Sequence, residues 1–348
     1  MRWAGARTSF HSALPEVSAH LVDDPRGIAR RNALKRLAAI ASLPLIVGAF
    51  DIAMAAPLSY PLRPVGVGEG VWVLYGVPEP IDRSNGGAIA NITIFDTRDG
   101  AVIVDTGPSK RYGAELEACV RALTGKPVVR VYLTHFHPDH VFGNQAFDAR
   151  TIAAPQGVID GLTSFGEDFA SSMYYAAGDW MRGTELVVPG KAVSDGIEEI
   201  GARRFVLNAL GGHTPSDMAV FEETSGILVA GDLVFLDRAP TTPHADPERW
   251  RDSLGTLAAI KATQVVPGHG PVEASPRGVE QTREWLAMVE DTIRSAFERG
   301  LSVNEAMEVP LPVWTEKIAL SRYEFERSVM HFFPRLEAGQ WPRVDKKS

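Results

Sequence analysis

Apolar residues along the chain fall into short runs that predict β-strands, and amphipathic stretches between them predict helices. The first strong run is VWVLYGV, which begins at Val71. The stretch AIANITIFDTRDGAVIVDTG predicts a hairpin, with strands over 89–96 and 101–105 and a turn at 98–100. The following PSKRYGAELEACVRALTG predicts a helix that begins after Ser109 and ends at Gly125.

The second half of the chain repeats this order of elements. PVVRVYLTH predicts a buried strand, residues 155–185 contain helical stretches, and GIEEIGARRFVLNAL, MAVFEET and GILVAGDLVF predict further strands. PERWRDSLGTLAAIKA and GVEQTREWLAMVEDTIRSAFERG predict helices, with QVVPGHG as a short strand between them. Two similar halves of this kind predict an α/β (α+β) fold, with two mixed sheets packed face to face and helices outside.

The N-terminal 55 residues have the pattern of an export signal. A basic cluster at 30–36 precedes an apolar run at 37–50, and small residues follow up to Ala56. The apolar run of 14 residues is shorter than the roughly 20 that span a bilayer. Arg30 and Arg31 resemble the twin-arginine export signal. We therefore expect cleavage after Ala55, a periplasmic location and no transmembrane span in the mature chain.

The remainder divides into a predicted hydrolase domain over 60–300 and a helical C-terminal extension over 301–348. The whole chain has a formal net charge of −8. Residues 1–55 contain seven basic and four acidic side chains, a net charge of +3, so the rest of the chain carries −11. This acidic body argues against nucleic acid or an anionic membrane as a partner. With Cys119 as the one cysteine, no intramolecular disulfide can form.

The segment THFHPDHVFGN contains three histidines and one aspartate within six residues, namely His135, His137, Asp139 and His140. Imidazole and carboxylate are ligands for zinc and other divalent first-row metals. In extended backbone, residues i and i+2 point the same way, so His135 and His137 can converge on one ion while Phe136 points into the core. Pro138 then bends the chain and directs the next two side chains elsewhere.

Three more candidate ligands occur later in the chain, in glycine-bounded positions that follow predicted strands. They are His213 in GGHTPSD, Asp232 in VAGDLVF and His269 in VPGHGPV. We expect one ion to be held by His135, His137 and His213, and a second ion by Asp139, His140 and His269, with Asp232 between them.

Two further aspartates are candidates for orienting the imidazoles, since metal-bound histidines commonly donate their other N–H to a carboxylate. They are Asp105 in IVDTG and Asp217 in HTPSD, and each could instead only cap a turn. His244 could reach the substrate or lie on the surface, and neither it nor His331 is assigned a role.

HFHPDH, GGHTPSD, GDLVF and PGHG, in that order, resemble the metallo-β-lactamase superfamily over roughly residues 70–275. The resemblance implies a four-layer αβ/βα sandwich with a dinuclear site at the edge of the sheets, and it agrees with the ligand assignment above. Asp232 resembles the bridging aspartate of thioester hydrolases and lactonases of the superfamily, which argues against antibiotic hydrolysis as the main activity.

The leader, together with THFHPDHVFGN and DRAPTTPHAD, is similar to the quinoprotein relay system zinc metallohydrolases, SoxH-related periplasmic proteins found with pyrroloquinoline quinone (PQQ)-dependent dehydrogenases. This implies a quinoprotein dehydrogenase or its cofactor as a possible partner.

The predicted function is a dizinc hydrolase that uses a metal-bound hydroxide on an ester, thioester, lactone or amide bond of a small molecule. Asp139 is expected to ligate a metal and to orient the nucleophile or accept its proton. Three alternatives stay open: a mononuclear iron oxidoreductase acting on sulfur compounds, as in the persulfide dioxygenases, a β-lactamase-like amide hydrolase, and a non-enzymatic accessory to a quinoprotein.

Overall fold

A computed structural model describes residues 58–274 and 276–340 of the chain. The predicted signal segment and its cleavage site lie outside the described residues. Within the described part, no helix combines the length and the apolar character that a membrane crossing requires.

The first sheet has seven strands that are neighbours in chain order. The strands β1 to β4 pair antiparallel, and β4 to β7 pair parallel, so the sheet is mixed. The strands are Val65–Gly68 (β1), Val71–Leu74 (β2), Ile92–Asp96 (β3), Ala101–Val104 (β4), Val128–Tyr132 (β5), Ile152–Pro155 (β6) and Lys191–Val193 (β7).

The second sheet has five strands in the order β12-β11-β10-β9-β8. Its strands pair antiparallel from β8 to β11, and β12 pairs parallel to β11. The strands are Gly196–Ile200 (β8), Arg203–Leu210 (β9), Asp217–Glu222 (β10), Ile227–Phe235 (β11) and Gln264–His269 (β12).

Seven α-helices belong to the described residues. They are Lys110–Thr124 (α1), Pro138–Val141 (α2), Gln156–Ala177 (α3), Pro247–Ala259 (α4), Arg277–Glu298 (α5), Val303–Met307 (α6) and Ser321–Gln340 (α7). Helix α1 has the predicted ends: the side chain of Ser109 accepts a hydrogen bond from the backbone N–H of Tyr112, and Gly125 ends the helix at φ 70°.

Buried side chains divide the molecule into four layers. Phe95 and Tyr132 of the first sheet pack against Phe205 and Val266 of the second. Helices α1 and α3 cover the outer face of the first sheet, and α4 and α5 cover the outer face of the second. Since each fully buried Phe or Leu contributes roughly 1.5–3 kcal/mol, the three apolar interfaces hold these layers together. The predicted αβ/βα sandwich of two mixed sheets is confirmed.

The predicted hairpin is present, with Phe95 paired to Val102, but its first strand begins at Ile92 rather than at residue 89. The reason is that the backbone N–H of Asn91 donates to the carbonyl of Gly268 in the second sheet instead of to a neighbouring strand. Sequence patterns did not predict β1, β6 or β7, which are only three or four residues long.

Beyond residue 300, the described residues contain the helices α6 and α7. Helix α7 packs on α5, with Phe325, Val329 and Phe333 in one buried cluster with Trp285 and Ile293. This packing places α7 on the same side of the molecule as the loop after β11, and a bridge between residues 238 and 319 joins that loop to the segment just before α7.

Candidate metal centre

The histidine-rich segment leaves β5 as extended chain and turns at Pro138 into the short helix α2. Asp105 fixes the start of this segment, because its carboxylate accepts hydrogen bonds of 2.8 Å from both the backbone N–H and the hydroxyl of Thr134. Phe136 is buried in the core against the first sheet, as predicted, so that His135 and His137 face the opposite way.

The structure brings all seven predicted ligand side chains together in two buried groups. Within each group, the candidate ligand atoms lie within 4.8 Å of one another. The first group is His135, His137, His213 and Asp232, and the second is Asp139, His140 and His269. The six residues other than Asp232 are grouped as the sequence analysis assigned them, and Asp232, which was expected between the two ions, lies within the first group.

Asp232 lies between the two groups. Its Oδ2 is 3.3 Å from Nε2 of His213 and 3.7 Å from Nε2 of His135. Its Oδ1 is 3.1 Å from Nε2 of His140 and 3.3 Å from Nε2 of His269. One carboxylate therefore faces histidines of both groups, which is the geometry that a bridging ligand needs.

Asp232 is not at a strand end, as the sequence pattern suggested, but within β11. Gly231 has φ 54°, and the pairing of β11 with β12 is irregular on both sides of it. Such an irregularity re-aims the following side chain. Gly268 of β12 also comes close, because a Cβ there would lie 1.9 Å from Oδ1 of Asp232.

Hydrogen bonds to the remote ring nitrogens orient three of the imidazoles. Nδ1 of His140 lies 2.8 Å from Oδ2 of Asp105, and Nδ1 of His269 donates to the carbonyl of Ile89 at 2.8 Å. Nδ1 of His135 lies 3.0 Å from the hydroxyl of Thr134. Each contact leaves Nε2 pointing at the centre of the cluster. The prediction that Asp105 orients an imidazole is confirmed.

Asp217 caps a turn and, among the described residues, does not orient an imidazole by a hydrogen bond, so it has the second of the two roles considered for it. Its carboxylate accepts hydrogen bonds from the backbone N–H of Thr214 at 3.0 Å and from the hydroxyl of the same residue at 2.8 Å. Burial raises its pKa to about 7. Asp217 thus caps the turn that follows His213 and holds that loop in place.

The sequence analysis did not predict that His244 contacts a candidate ligand. Its Nδ1 lies 2.9 Å from Nε2 of His137, while Nδ1 of His137 lies 2.8 Å from Nε2 of His213 inside the first group. His137 therefore presents Nδ1, not Nε2, to the cluster. Burial lowers the pKa of His244, and the charges of Arg327 and Arg335 lower it further.

The donor set fits divalent metal ions. Nε2 of His135, Nε2 of His140 and Oδ1 of Asp232 are buried without a hydrogen-bond partner, although such atoms are normally satisfied. Five imidazoles and two carboxylates offer nitrogen and oxygen ligands typical of zinc and related first-row metals. Ligation by metal would satisfy the unpartnered atoms at once.

The pKa shifts in the cluster follow from burial and from its carboxylates. Burial holds the pKa values of His135 and His137 well below the usual value and lowers that of His213 to about 3. Burial acts in the same direction on His140, but Asp232, Asp139 and Asp105 raise its pKa well above the usual value. Burial would raise the pKa of Asp232, but the surrounding imidazoles, His269 first, hold it well below its ordinary value.

A cavity of about 350 Å³ opens onto both groups. Its apolar wall includes Ile81, Ile89 and Phe169. Its polar lining comes from the metal centre, from the loop after β11 and from helix α7: His137, Asp139, Asp232, Arg238, Thr241, His244, His269, Tyr323, Glu324 and Arg327.

Comparison with known proteins finds matches at the levels of family, sequence and structure. Residues 85–269 match the family model described as Metallo-beta-lactamase superfamily. The linear primary-alkylsulfatase of Pseudomonas sp. (strain ATCC 19151) is 23% identical over 264 residues, which are 63% of this chain and 49% of the relative. Metallo-beta-lactamase IND-1 of Chryseobacterium indologenes is 28% identical over 203 residues, 57% of this chain and 78% of that one.

The match thus spans about half the length of the alkylsulfatase. Among solved structures, a metallo-beta-lactamase from Pontibacter korlensis has a TM-score of 0.53 at 22% identity, covering 65% of this chain and 99% of that chain. A double mutant of the sec-alkyl sulfatase PisA1 has a TM-score of 0.61 at 18% identity, covering 81% of this chain and 52% of that chain. These structural likenesses show a common fold.

Proposed function

Because the chain belongs to the metallo-beta-lactamase superfamily, we propose that its seven buried histidine and aspartate side chains hold two divalent metal ions and that it acts as a dizinc hydrolase. The family match confirms the resemblance to the superfamily inferred from the sequence motifs, and it supports the expected class of metal-dependent hydrolases. The observation that carries the dinuclear proposal is the position of Asp232 between two groups of ligand atoms, each within 4.8 Å.

Bound divalent metal would lower the pKa of water and polarise a carbonyl or similar group of the substrate. The protein residues would admit the substrate and hold the ligands in place. His137, Asp139, Asp232 and His269 line the cavity, so the substrate can reach both groups from one side. The hydrogen bonds to Asp105 and Ile89 hold His140 and His269 in one orientation before substrate arrives.

We assign to Asp139 the transfer of a proton from the attacking water to the leaving group. It lies in the second group, with Oδ2 3.4 Å from Nε2 of His269, and it borders the cavity. In the hydrolysis, the acyl carbon gains the hydroxyl of water and the bond to the leaving oxygen, sulfur or nitrogen breaks. Asp139 accepts the proton of the attacking water and returns it to the leaving group.

The proposed substrates are small molecules with an ester, thioester, lactone or amide bond. Similarity to an alkylsulfatase supports sulfate-ester cleavage as a second candidate. We also propose export to the periplasm and association with a PQQ-dependent quinoprotein system. The leader pattern and the stretches THFHPDHVFGN and DRAPTTPHAD support these two proposals.

Metal analysis of the purified protein, combined with a panel of thioester, lactone, aryl ester, β-lactam and alkyl sulfate substrates, tests this function. We expect two zinc ions per chain and turnover that Asp139→Ala and His137→Ala each abolish without unfolding the protein. His331→Ala, a histidine outside the cluster, is the matched control. A single iron with oxygen uptake, or wild-type turnover with unchanged metal content in Asp139→Ala, would contradict the proposal.

A further inference from the structure

Helix α7 contributes to the cavity although it lies outside the residues that match the family model. Three of its side chains line the cavity together with the metal centre: Tyr323, Glu324 and Arg327. The C-terminal segment therefore bears on which molecules fit the cavity.

Two arginines share one carboxylate in this wall. Glu324 is fully buried and lies 3.3 Å from Nη2 of Arg238, itself only 4% exposed. Nη1 of Arg327 donates to both carboxylate oxygens of Glu324, at 3.2 and 2.9 Å. The three side chains together carry one net positive charge. Nη1 of Arg238 also donates to the carbonyl of Ala239 and to the hydroxyl of Thr241, so both terminal nitrogens of Arg238 are engaged by protein groups.

Arg327 differs from Arg238 in facing open space. Its side chain is 37% exposed, and its hydrogen bonds within the described residues all use Nη1. Its guanidinium carbon lies 5.5 Å from the centre of the Tyr323 ring. Glu324 and Tyr323 therefore hold the guanidinium in one place, while its Nε and Nη2 edge can form the paired hydrogen bonds that an oxyanion accepts.

We propose that Arg327 binds an anionic group of the substrate, a carboxylate or a sulfate carrying one negative charge. The inference rests on the proposed hydrolase function and narrows its substrates to amphipathic anions. The apolar wall of Ile81, Ile89 and Phe169 accommodates the carbon chain between the anionic group and the bond that is hydrolysed.

Three 4-nitrophenyl esters of equal chain length test the proposal: the glutarate monoester, the 4-sulfobutanoate ester and the neutral 5-methylhexanoate ester. We expect kcat/KM for one or both anionic esters to exceed that for the neutral ester by about 10- to 100-fold, the range for a hydrogen-bonded charge pair. The better of the two identifies the oxyanion. Equal values for all three esters would overturn the proposal.

Variants connect the preference to Arg327. Arg327→Gln should reduce the anionic-to-neutral ratio by about 10-fold or more, mainly through KM, and Arg327→Lys should restore part of it. Arg121→Gln, an exposed arginine paired with Glu117 on helix α1, removes the same charge and should leave the ratio unchanged. A ratio in Arg327→Gln equal to that of the wild type, in a variant with wild-type thermal unfolding, would refute the assignment.

Calorimetric titration with glutarate and with butane-1-sulfonate separates this inference from the hydrolase proposal. If no ester is hydrolysed, the proposed function fails, but the binding site is still tested. Weakening of the binding of either anion by about 10-fold in Arg327→Gln would support the site. Absence of binding to the wild type, or equal affinities in the wild type and the variant, would overturn it.

Discussion

Nδ1 of His244 lies 2.9 Å from Nε2 of His137, although the two residues are 107 positions apart. The contact leaves Nδ1 of His137 to face the first ligand group. His244, which lines the cavity, thus contacts the ring nitrogen of His137 that points away from this group. His244 is therefore a positioning residue for His137.

Replacement of His244 by alanine should weaken metal binding at the first group by about 10- to 100-fold, since partners that orient a ligand typically have effects of this size. His244→Asn, which can place a polar atom near the position of Nδ1, should recover part of the affinity. Competition with a chromophoric chelator measures the metal affinity of both variants. Wild-type affinity in His244→Ala would show that the contact has no role in holding His137.

Asp105 should behave in the same way towards the second group. Asp105→Asn should lower metal affinity there by about 10- to 100-fold, because it removes the charge that faces Nδ1 of His140. Asparagine tolerates the φ of 65° at this position, so the backbone is retained. Asp105→Ala should in addition destabilise the fold by about 1–3 kcal/mol through backbone strain. Chelator competition and urea unfolding distinguish the two effects, and equal stability of both variants would contradict the backbone argument.

Removal of metal should lower thermal stability strongly. Nε2 of His135 and Nε2 of His140 are buried without a hydrogen-bond partner, and the ligand atoms come together only in the folded protein, so ligation stabilises only the folded state. With free zinc at about 1,000 times the dissociation constant, the gain is about 4 kcal/mol. Differential scanning calorimetry before and after dipicolinate treatment measures it, with His331→Ala as control. A transition temperature that does not respond to added zinc would count against a metal centre.

Glu198 on β8 connects the two sheets. It accepts hydrogen bonds from Arg130 and Tyr132 of β5 and from Lys191 of β7. Burial alone would raise its pKa, but the bonds from Lys191 and Tyr132 and the charge of Arg130 lower it. A lowered folded-state pKa stabilises the protein above the unfolded-state value, and this stabilisation is lost as the pH falls through the folded-state pKa.

Glu198→Gln should therefore reduce the free energy of unfolding by about 1 kcal/mol near pH 7. The difference from the wild type should shrink as the medium is made more acidic than about pH 4. Urea unfolding at several pH values tests this, with the exposed neighbour Glu199→Gln as control. A difference that stays constant with pH would mean that the carboxylate charge is not responsible.

The sequence was sufficient to predict which histidines and aspartates cluster because its signals are local. His135 and His137 are spaced for one face of an extended chain, and His213 and His269 stand beside glycines after strands. The two sheets and long helices also follow from periodicity. The short strands β1, β6 and β7 could not be predicted from periodicity, because three or four residues that include glycine, proline or alanine show no clear alternation of apolar and polar positions.

The residues around the cluster could not be predicted in the same way. His244 and Arg327 reach the cavity only because the loop after β11 and helix α7 pack beside the metal centre. No spacing in the sequence connects either residue with the ligands. Asp105 and Asp217 were candidates for the same two roles, yet one orients an imidazole and the other caps a turn, and only the fold distinguishes them.

Each ligand group draws side chains from both halves of the sandwich, with His135 and His137 beside the first sheet and His213 and Asp232 beside the second. Any small sliding of one sheet over the other would therefore pull both groups apart together. Residues that do not line the cavity, such as Tyr132 and Phe205 between the sheets, thus become indirect determinants of metal uptake, and conservative repacking there offers a way to tune metal affinity without altering a ligand.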